Sequence, residues 1–244
     1  MKIYVVGLGP GGFDQMTGRA LDAMQSSDVI AGYDGYIDLI KDRYSDKKLL
    51  STPMKQEADR CRLTVEEALK GQTVSIVCSG DAGVYGMAGL LYEVAQQYPP
   101  VEIEIVAGVT AACSGAAVLG APLIHDFAVI SLSDLLTPWE LIEKRLDCAA
   151  QADFVICLYN PSSKKRADYL HKACDIVLKY RSKSTVCGTV KNVGRVCEEG
   201  HVMFLSQLCD VSADMFTTVF IGNSQTREIG GKMVTPRGYR DEKG

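Results

Sequence analysis

The sequence predicts an α/β fold with two domains, and three observations support this. Short apolar runs alternate with longer stretches of helical spacing, which is typical of a sheet covered by helices. Glycine-rich turns directly follow two of the apolar runs. The pattern then changes near Gly120-Ala-Pro122, where turn-forming residues separate two halves. We therefore expect one domain over residues 1–119 and a second over residues 120–244, each long enough for its own core.

The first half contains four predicted strands, each an apolar run rich in branched residues. They lie at residues 2–6, 27–31, 74–78 and 102–106. Helical spacing fills the intervals at residues 16–26, 35–42, 56–70 and 86–97.

The second half contains five predicted strands and two predicted helices. The strands lie at residues 127–131, 154–159, 184–190, 201–205 and 218–222, and the helices at residues 137–149 and 164–179. No internal repeat relates the two halves, so each is expected to be a distinct module.

Composition excludes several classes of protein. The net charge of −4 and the scattered basic residues argue against a nucleic-acid binder. No apolar run approaches the ~20 residues that a membrane helix needs, so no membrane association is expected. The nine cysteines form no C-x-x-C pair, and we expect free thiols in a reducing cytoplasm and no metal site.

The first glycine loop, Gly7-Leu-Gly-Pro-Gly-Gly12, fits G-x-G-x-x-G directly after a strand. Asp34 follows Gly12 by 22 residues, so an NAD(P)-dependent oxidoreductase is one candidate function. Pro10 argues against it, because proline removes a backbone N–H from a loop that must donate to pyrophosphate. A tight turn without any ligand would also require these glycines.

The second glycine loop, residues 78–89, also follows an apolar strand and carries Asp81 at that strand's carboxyl end. Open α/β sheets bind ligands at this position. Asp81 can equally cap the following helix, and the residues alone leave both roles open.

Together, four ordered segments resemble the S-adenosylmethionine-binding segments of the tetrapyrrole methylase superfamily. They are Gly7-Leu-Gly-Pro-Gly11, Ser79-Gly-Asp-Ala-Gly-Val-Tyr-Gly86, Gly108-Val-Thr-Ala-Ala112 and Leu158-Tyr-Asn-Pro161. The resemblance spans nearly the whole chain. It implies two α/β domains, each a mixed sheet flanked by helices, with S-adenosylmethionine in the interdomain cleft, and usually a homodimer. Carried over by position, the implied cofactor-binding residues are Pro10, Ser79, Gly80, Asp81, Val84, Tyr85, Thr110, Ala111, Tyr159, Asn160, Gly188 and Asn192.

Residues 131–145, together with the junction at residues 120–130, resemble the branch of this family that methylates C17 during cobalamin biosynthesis. The implied substrate is cobalt-precorrin-3 (cobalt-factor III) or precorrin-3B, and methylation starts ring contraction. Ala82 stands where many family members have proline, and the C17 branch accepts alanine. Alternatives are a methylase of another precorrin carbon and a non-catalytic tetrapyrrole or cobalt carrier.

Proton movement during ring contraction requires an acid or base, and His125 is a candidate because histidine side chains in general can gain or lose a proton near neutral pH. Asp134 is expected to orient substrate, with Ser131 beside it, although Ser131 and Asp134 can also simply cap the helix that follows. The many carboxylates of the substrate suggest cationic partners, and the candidates are Lys191, Arg195 and Arg237. A solvated surface charge is the alternative role for each of these three.

Overall fold

The computed structural model describes residues 1–163 and 166–239. Residue contacts divide the chain into two compact units, Met1–Thr110 and Ala111–Gly244. The prediction of two α/β domains is therefore confirmed.

The first unit is a five-stranded sheet in the order β3-β2-β4-β1-β5. Its strands are β1 (Lys2–Gly7), β2 (Val29–Tyr33), β3 (Lys48–Thr52), β4 (Thr73–Cys78) and β5 (Glu102–Val106). Its helices are α1 (Gly18–Gln25), α2 (Asp34–Ile40), α3 (Glu57–Leu69) and α4 (Ala88–Ala95), and a 3-10 turn covers Phe13–Gln15.

Every strand pair in this first sheet is parallel, so the expectation of a mixed sheet is wrong for this unit. The physical reason is that one helix separates each strand from the next along the chain, and a helical crossover returns the chain to the same end of the sheet. Strand β3 was not predicted, because this edge strand is partly exposed and lacks a continuous apolar run.

Helices cover both faces of the first sheet, because side chains of β1 point alternately to the two faces and pack against different helices. Ile3 and Val5 pack in one core cluster with residues of α3 and α4. Val6 packs in a second cluster with residues of α1 and α2. Burial of each such side chain stabilises the fold by about 1.5–3 kcal/mol.

The second unit contains a five-stranded sheet in the order β10-β9-β11-β8-β7 and a small sheet in the order β12-β13-β6. Its strands are β6 (Gly120–Ala121), β7 (Phe127–Ser131), β8 (Val155–Tyr159), β9 (Val186–Lys191), β10 (Glu199–Phe204), β11 (Thr217–Ile221), β12 (Arg227–Ile229) and β13 (Lys232–Val234). Its helices are α5 (Ala111–Leu119), α6 (Trp139–Gln151), α7 (Tyr169–Val177) and α8 (Leu205–Leu208).

The five-stranded sheet of this unit is mixed, as predicted, because only β7 and β8 pair in parallel. The predicted helix 164–179 corresponds to α7, and Lys164 and Lys165 lie outside the described residues.

Helix α5 groups with the second unit, so the division by contacts falls one helix before the predicted boundary at 119/120. Gly115 of α5 packs against the ring of Phe220 in β11, where an added Cβ would lie 3.0 Å from that ring. The apolar, alanine-rich α5 was itself not predicted. No helix in the described part of the chain has the length and apolar character needed to cross a membrane.

Candidate functional site

In the first unit, three predicted binding loops meet at the carboxyl-terminal end of the sheet. They follow β1, β4 and β5, which are adjacent parallel strands, so their carboxyl ends lie together. Backbone hydrogen bonds join the first two loops: Gly9 donates to the Gly80 carbonyl at 3.0 Å, and Gly80 donates to the Gly9 carbonyl at 2.9 Å. The structure thus brings the first and second glycine loops into direct contact.

Glycine is required where these loops touch. A Cβ on Gly108 would lie 2.2 Å from the Gly80 carbonyl oxygen and 2.5 Å from the Gly7 carbonyl oxygen. A Cβ on Gly7 would lie 2.6 Å from the same Gly80 oxygen. Real Cβ atoms essentially never approach backbone so closely, so glycine is needed at positions 7 and 108, where the first and third loops pack on the Gly80 carbonyl.

Asp81 holds the second loop to the third. Its Oδ1 accepts from the backbone N–H of Gly83 at 2.8 Å, and its Oδ2 accepts from that of Gly108 at 3.0 Å. Asp81 therefore holds the second and third loops together. From the sequence, only helix capping and ligand binding were considered for this residue.

The tip of the second loop is accessible. Tyr85 has a φ of 53° and is 60 % exposed, and Val84 is half-buried beside it. Ser79 and Thr110 are also half-buried, whereas Pro10 is buried. This edge therefore offers apolar side chains next to exposed backbone.

The sheet order argues against the dinucleotide alternative. In dinucleotide-binding folds, the strand that ends near the ribose-binding acid lies beside the strand that precedes the glycine loop. Here β4 lies between β1 and β2, so Asp34 at the end of β2 is two strands, about 10 Å, from the first loop. The loop also leads into a 3-10 turn, and α1 begins only at Gly18, whereas a dinucleotide loop opens directly into a helix.

In the second unit, several predicted residues also gather at one sheet edge. β11 is antiparallel to both β8 and β9, and β7 is parallel to β8, so β7, β8 and β9 all run in one direction. Their carboxyl ends carry Ser131, Tyr159, Asn160, Lys191 and Asn192. This convergence follows from the topology and could not be derived from sequence spacing.

A hydrogen-bonded cluster links the loops after β7 and β8. The Asn160 side-chain amide donates to Ser131 Oγ at 2.9 Å. Arg166 Nη1 donates to Ser133 Oγ at 2.8 Å and to Asp134 Oδ1 at 3.2 Å, and the Tyr169 hydroxyl donates to Asp134 Oδ2 at 2.7 Å. The Ser133 N–H donates to Ser131 Oγ at 3.2 Å, which joins Ser131, Asp134 and Asn160 into one connected network.

The Tyr169 hydroxyl, with Arg166, lowers the pKa of Asp134 below its usual range. Asp134 is therefore ionised at neutral pH and can accept hydrogen bonds or attract a cation, but it cannot donate a proton. Arg166 and Tyr169 were missed from the sequence, because they lie in or beside a predicted amphipathic helix and no local motif marks them.

Tyr159 and Gly188 have clear roles in packing around α5. The backbone N–H of Ala112 donates to the Tyr159 hydroxyl at 2.7 Å, which satisfies one N–H at the start of α5, whose first residue is Ala111. Gly188 is buried in β9, where a Cβ would lie 2.6 Å from Leu119 Cδ1. Small size at position 188 is thus required by the packing of α5.

The predicted substrate-binding cations differ in their surroundings. Lys191 is paired with Asp214 at 2.9 Å, and this hydrogen bond raises the pKa of Lys191. Arg195 is half-buried with its guanidinium 5.7 Å from the centre of the Phe216 ring, and the Arg195 N–H donates to the Asn192 carbonyl at 2.9 Å. Arg237 is exposed and follows β13, outside the five-stranded sheet.

His125 lies apart from the other predicted catalytic residues. His125 lies just before the first residue of β7, whereas Ser131 is its last residue. The two residues therefore lie at opposite ends of a strand that is about 13 Å long. His125 instead lines a polar cavity of about 220 Å³ with Asp126, Asp153, Asn223 and Gln225. The structure does not bring His125 together with Ser131 and Asp134.

The cysteines are free thiols, and five of the nine are buried. Burial raises the pKa of Cys78, beside the second loop, to about 11, so this thiol is protonated at neutral pH. Among the described residues, no group of three or more His, Cys, Asp or Glu side chains could hold a metal ion.

Comparison with known proteins gives consistent results. A family model described as Tetrapyrrole (Corrin/Porphyrin) Methylases matches residues 2–209. The chain is 47% identical over 244 residues to a cobalt-factor III methyltransferase of Priestia megaterium, a match that covers 98% of this chain and 45% of that protein. It is 45% identical over 238 residues to a probable cobalt-factor III C(17)-methyltransferase of Salmonella typhimurium, covering 97% and 99% of the two chains.

Solved structures agree with these relatives. The chain resembles the methyltransferase CobJ with a TM-score of 0.89 and 37% identity, and the match covers 96% of this chain and 99% of that one. It resembles a cobalt precorrin-4 methyltransferase with a TM-score of 0.72, 22% identity and coverage of 91% and 94%, which shows a shared fold.

Proposed function

The chain belongs to the family of tetrapyrrole (corrin/porphyrin) methylases, and we propose that it uses S-adenosylmethionine to methylate C17 of cobalt-factor III, with associated ring contraction, in cobalamin biosynthesis. The observation that carries the proposal is the match to a probable C17-methyltransferase over 97% of this chain and 99% of that relative. The match covers 45% of the Priestia megaterium relative, so the chain spans about half the length of that protein.

The residues of the first unit fit the proposed cofactor. S-adenosylmethionine combines an apolar nucleoside face with polar groups, and the edge after β1, β4 and β5 offers accessible Val84 and Tyr85 next to exposed backbone. Asp81 and the three packed glycines hold that backbone rigid, which lowers the entropy lost on binding. Ser79, Gly80, Pro10 and Thr110 belong to the same loops and complete the proposed set in this unit.

The residues of the second unit carried over from the family are Ala111, Tyr159, Asn160, Gly188 and Asn192, and their contact with the cofactor stays a prediction. Support is strongest for Asn160 and Asn192, which follow β8 and β9 at the same sheet edge with positive φ of 51° and 54°. Such left-handed residues often occur at functional sites, where the surrounding structure must hold them.

When bound, the cofactor supplies a methyl group on a sulfonium, which needs no acid to help the neutral thioether leave. The main task of the protein is therefore to hold the reacting carbon in line, at roughly 3–3.5 Å from the methyl. We assign the orienting role to ionised Asp134, with Ser131 and Asn160 in the same hydrogen-bonded cluster, because this cluster follows β7 and β8 at the end of the sheet where the predicted cofactor-binding residues of this unit also lie.

Lys191 and Arg195 are the proposed partners of the substrate carboxylates. Lys191 ends β9 and pairs with Asp214, and Arg195 lies on the segment that follows β9, close to Phe216. Arg237 stays a candidate without further support. His125 lies at the opposite end of β7, so we restrict the proposed catalytic set to Asp134 and Ser131.

Precorrin-3B, the metal-free substrate, is the second candidate. The relatives whose names specify cobalt-factor III favour the cobalt-containing macrocycle, and its cobalt would be part of the substrate. A cytoplasmic homodimer is proposed from the family resemblance and is testable by light scattering.

Calorimetric titration with S-adenosylhomocysteine, with NADH in a parallel cell, tests the cofactor. We expect selective binding of the thioether, and selective binding of NADH would overturn the proposal. Incubation with S-adenosylmethionine and either cobalt-factor III or metal-free precorrin-3B then tests the substrate by mass spectrometry. A methylated, ring-contracted product from the cobalt macrocycle alone is the expected result.

A further inference from the structure

The loop between β7 and α6 carries two adjacent leucines that are unusually exposed. Leu135 is 71 % exposed and Leu136 is 98 % exposed, whereas Leu132 at the start of the same loop is fully buried. A single exposed leucine requires no explanation, but two neighbours at a candidate site form an apolar surface available for binding.

The loop that presents these leucines is firmly anchored on both sides. The Leu132 N–H donates to the Tyr159 carbonyl at 2.9 Å, and Arg166 and Tyr169 bind Ser133 and Asp134 as described above. On the other side, Pro138 precedes α6. A ligand that binds the leucines therefore meets a loop that is already ordered, so little entropy is lost.

Two ion pairs and two aromatic rings lie beside the loop that carries the leucines, and the ion pairs are Arg166–Asp134 at 3.2 Å and Lys172–Asp168 at 2.8 Å. Arg166 contacts the base of the loop, and Lys172 Nζ lies 5.8 Å from the centre of the Trp139 ring and 5.1 Å from that of Tyr169. The Trp139 and Tyr169 rings themselves lie 4.3 Å apart. An apolar surface beside aromatic rings and ion-paired side chains complements a ligand that has a large apolar body and a polar fringe.

A tetrapyrrole has that chemistry, since it is a large conjugated ring with carboxylate side chains. We propose that Leu135 and Leu136 bind one face of the macrocycle and that the Asp134–Arg166–Tyr169 cluster holds their loop in place. This assignment rests on the proposed function, and it makes the two leucines determinants of affinity for the macrocycle.

Trp139 provides the measurement, because it is the only tryptophan and lies three residues after Leu136. Uroporphyrin III, a stable polycarboxylate macrocycle, is titrated against the protein while the tryptophan fluorescence is recorded. The test variant is Leu135→Ser/Leu136→Ser. Ile229→Ser is the matched control, since Ile229 is 53 % exposed but lies in β12.

We expect the double serine variant to bind the macrocycle at least about tenfold more weakly, because burying even one leucine contributes that much affinity. Its affinity for S-adenosylhomocysteine should be unchanged, which shows that it is folded. The Leu135→Met/Leu136→Met variant keeps the apolar surface and should retain most of the affinity.

Macrocycle affinity equal to wild type in the double serine variant would overturn the inference and leave the proposed function intact. A changed oligomeric state of that variant with unchanged macrocycle affinity would identify the loop as an interface between copies, and this also overturns it. Wild-type protein that binds S-adenosylhomocysteine but neither uroporphyrin III nor cobalt-factor III would overturn the proposed function itself.

Discussion

The Asp81 carboxylate joins two loops of the first unit, since its Oδ2 accepts from the Gly108 N–H at 3.0 Å while its Oδ1 accepts from Gly83 at 2.8 Å. In Asp81→Asn, one of these N–H groups would face an amide donor. We expect unfolding free energy to fall by about 1–3 kcal/mol and S-adenosylhomocysteine to bind more weakly. Urea unfolding and calorimetry measure the two effects.

The matched control for Asp81→Asn is Asp38→Asn. Asp38 pairs with Lys41 at 2.8 Å on the exposed surface of α2, so its loss should change stability by less than about 1 kcal/mol. Equal effects of the two substitutions would contradict the role assigned to Asp81.

Gly108→Ala tests the glycine junction. The added Cβ would lie 2.2 Å from the Gly80 carbonyl oxygen, so the loops must separate. We expect a loss of more than about 2 kcal/mol in unfolding free energy and loss of S-adenosylhomocysteine binding. Gly89→Ala in α4 is the control, because nothing lies within 4 Å of the Cβ that the substitution adds. The higher helix propensity of alanine should stabilise the folded protein by about 0.5–1 kcal/mol.

Gly188→Ala tests whether position 188 serves packing. Its Cβ would lie 2.6 Å from Leu119 Cδ1, so we expect destabilisation of about 1–3 kcal/mol. Leu119→Ala should cost about 2–5 kcal/mol alone. Because the second change makes room for the first, the double variant should lose less stability than the sum of the single variants, and strict additivity would argue against the contact.

Tyr169→Phe tests the control of the Asp134 charge. The Tyr169 hydroxyl stabilises the ionised carboxylate and lowers its pKa, so its removal should raise the Asp134 pKa toward the ordinary value near 3.9. A group with a lowered folded-state pKa contributes stability above its unfolded pKa and loses it as pH falls through the folded pKa. Because Tyr169→Phe narrows the gap between the folded and unfolded pKa of Asp134, the variant should be less stable than wild type at neutral pH and should lose less stability than wild type as the pH falls.

Carboxyl carbon NMR measures the Asp134 pKa directly. Tyr180→Phe is the matched control, since the Tyr180 hydroxyl donates to Asp147 Oδ2 at 3.0 Å and should leave Asp134 unaffected. An Asp134 pKa that is equal in wild type and Tyr169→Phe would refute the assignment.

His125→Ala and Ser131→Ala distinguish the two ends of β7. We expect His125→Ala to retain methyl transfer with an unchanged pH profile, because His125 lies at the end of β7 opposite to Ser131. Ser131→Ala removes the acceptor of the Asn160 amide and should reduce turnover by about tenfold or more. A pH profile altered by His125→Ala would restore the original hypothesis of proton transfer.

Local patterns were sufficient to predict most strands. β7 lies at the predicted residues 127–131, and β1 and β5 differ from prediction by at most one residue, because buried strands are short apolar runs whose period is visible in sequence. β3 and α5 were missed, since an exposed edge strand and an apolar helix both lack the amphipathic pattern that such prediction requires.

The sequence by itself determined the two-domain α/β class and the order of the glycine motifs, because both depend on neighbouring residues along the chain. Only the tertiary structure decided that Gly7, Gly80 and Gly108 share one junction and that Arg166 and Tyr169 bind Asp134. It also decided that His125 and Ser131 lie at opposite ends of β7. These relations depend on strand order and direction, which arise from packing between distant segments. Such contacts leave no signal in local spacing, and for this reason the geometry of the site appears only in the fold.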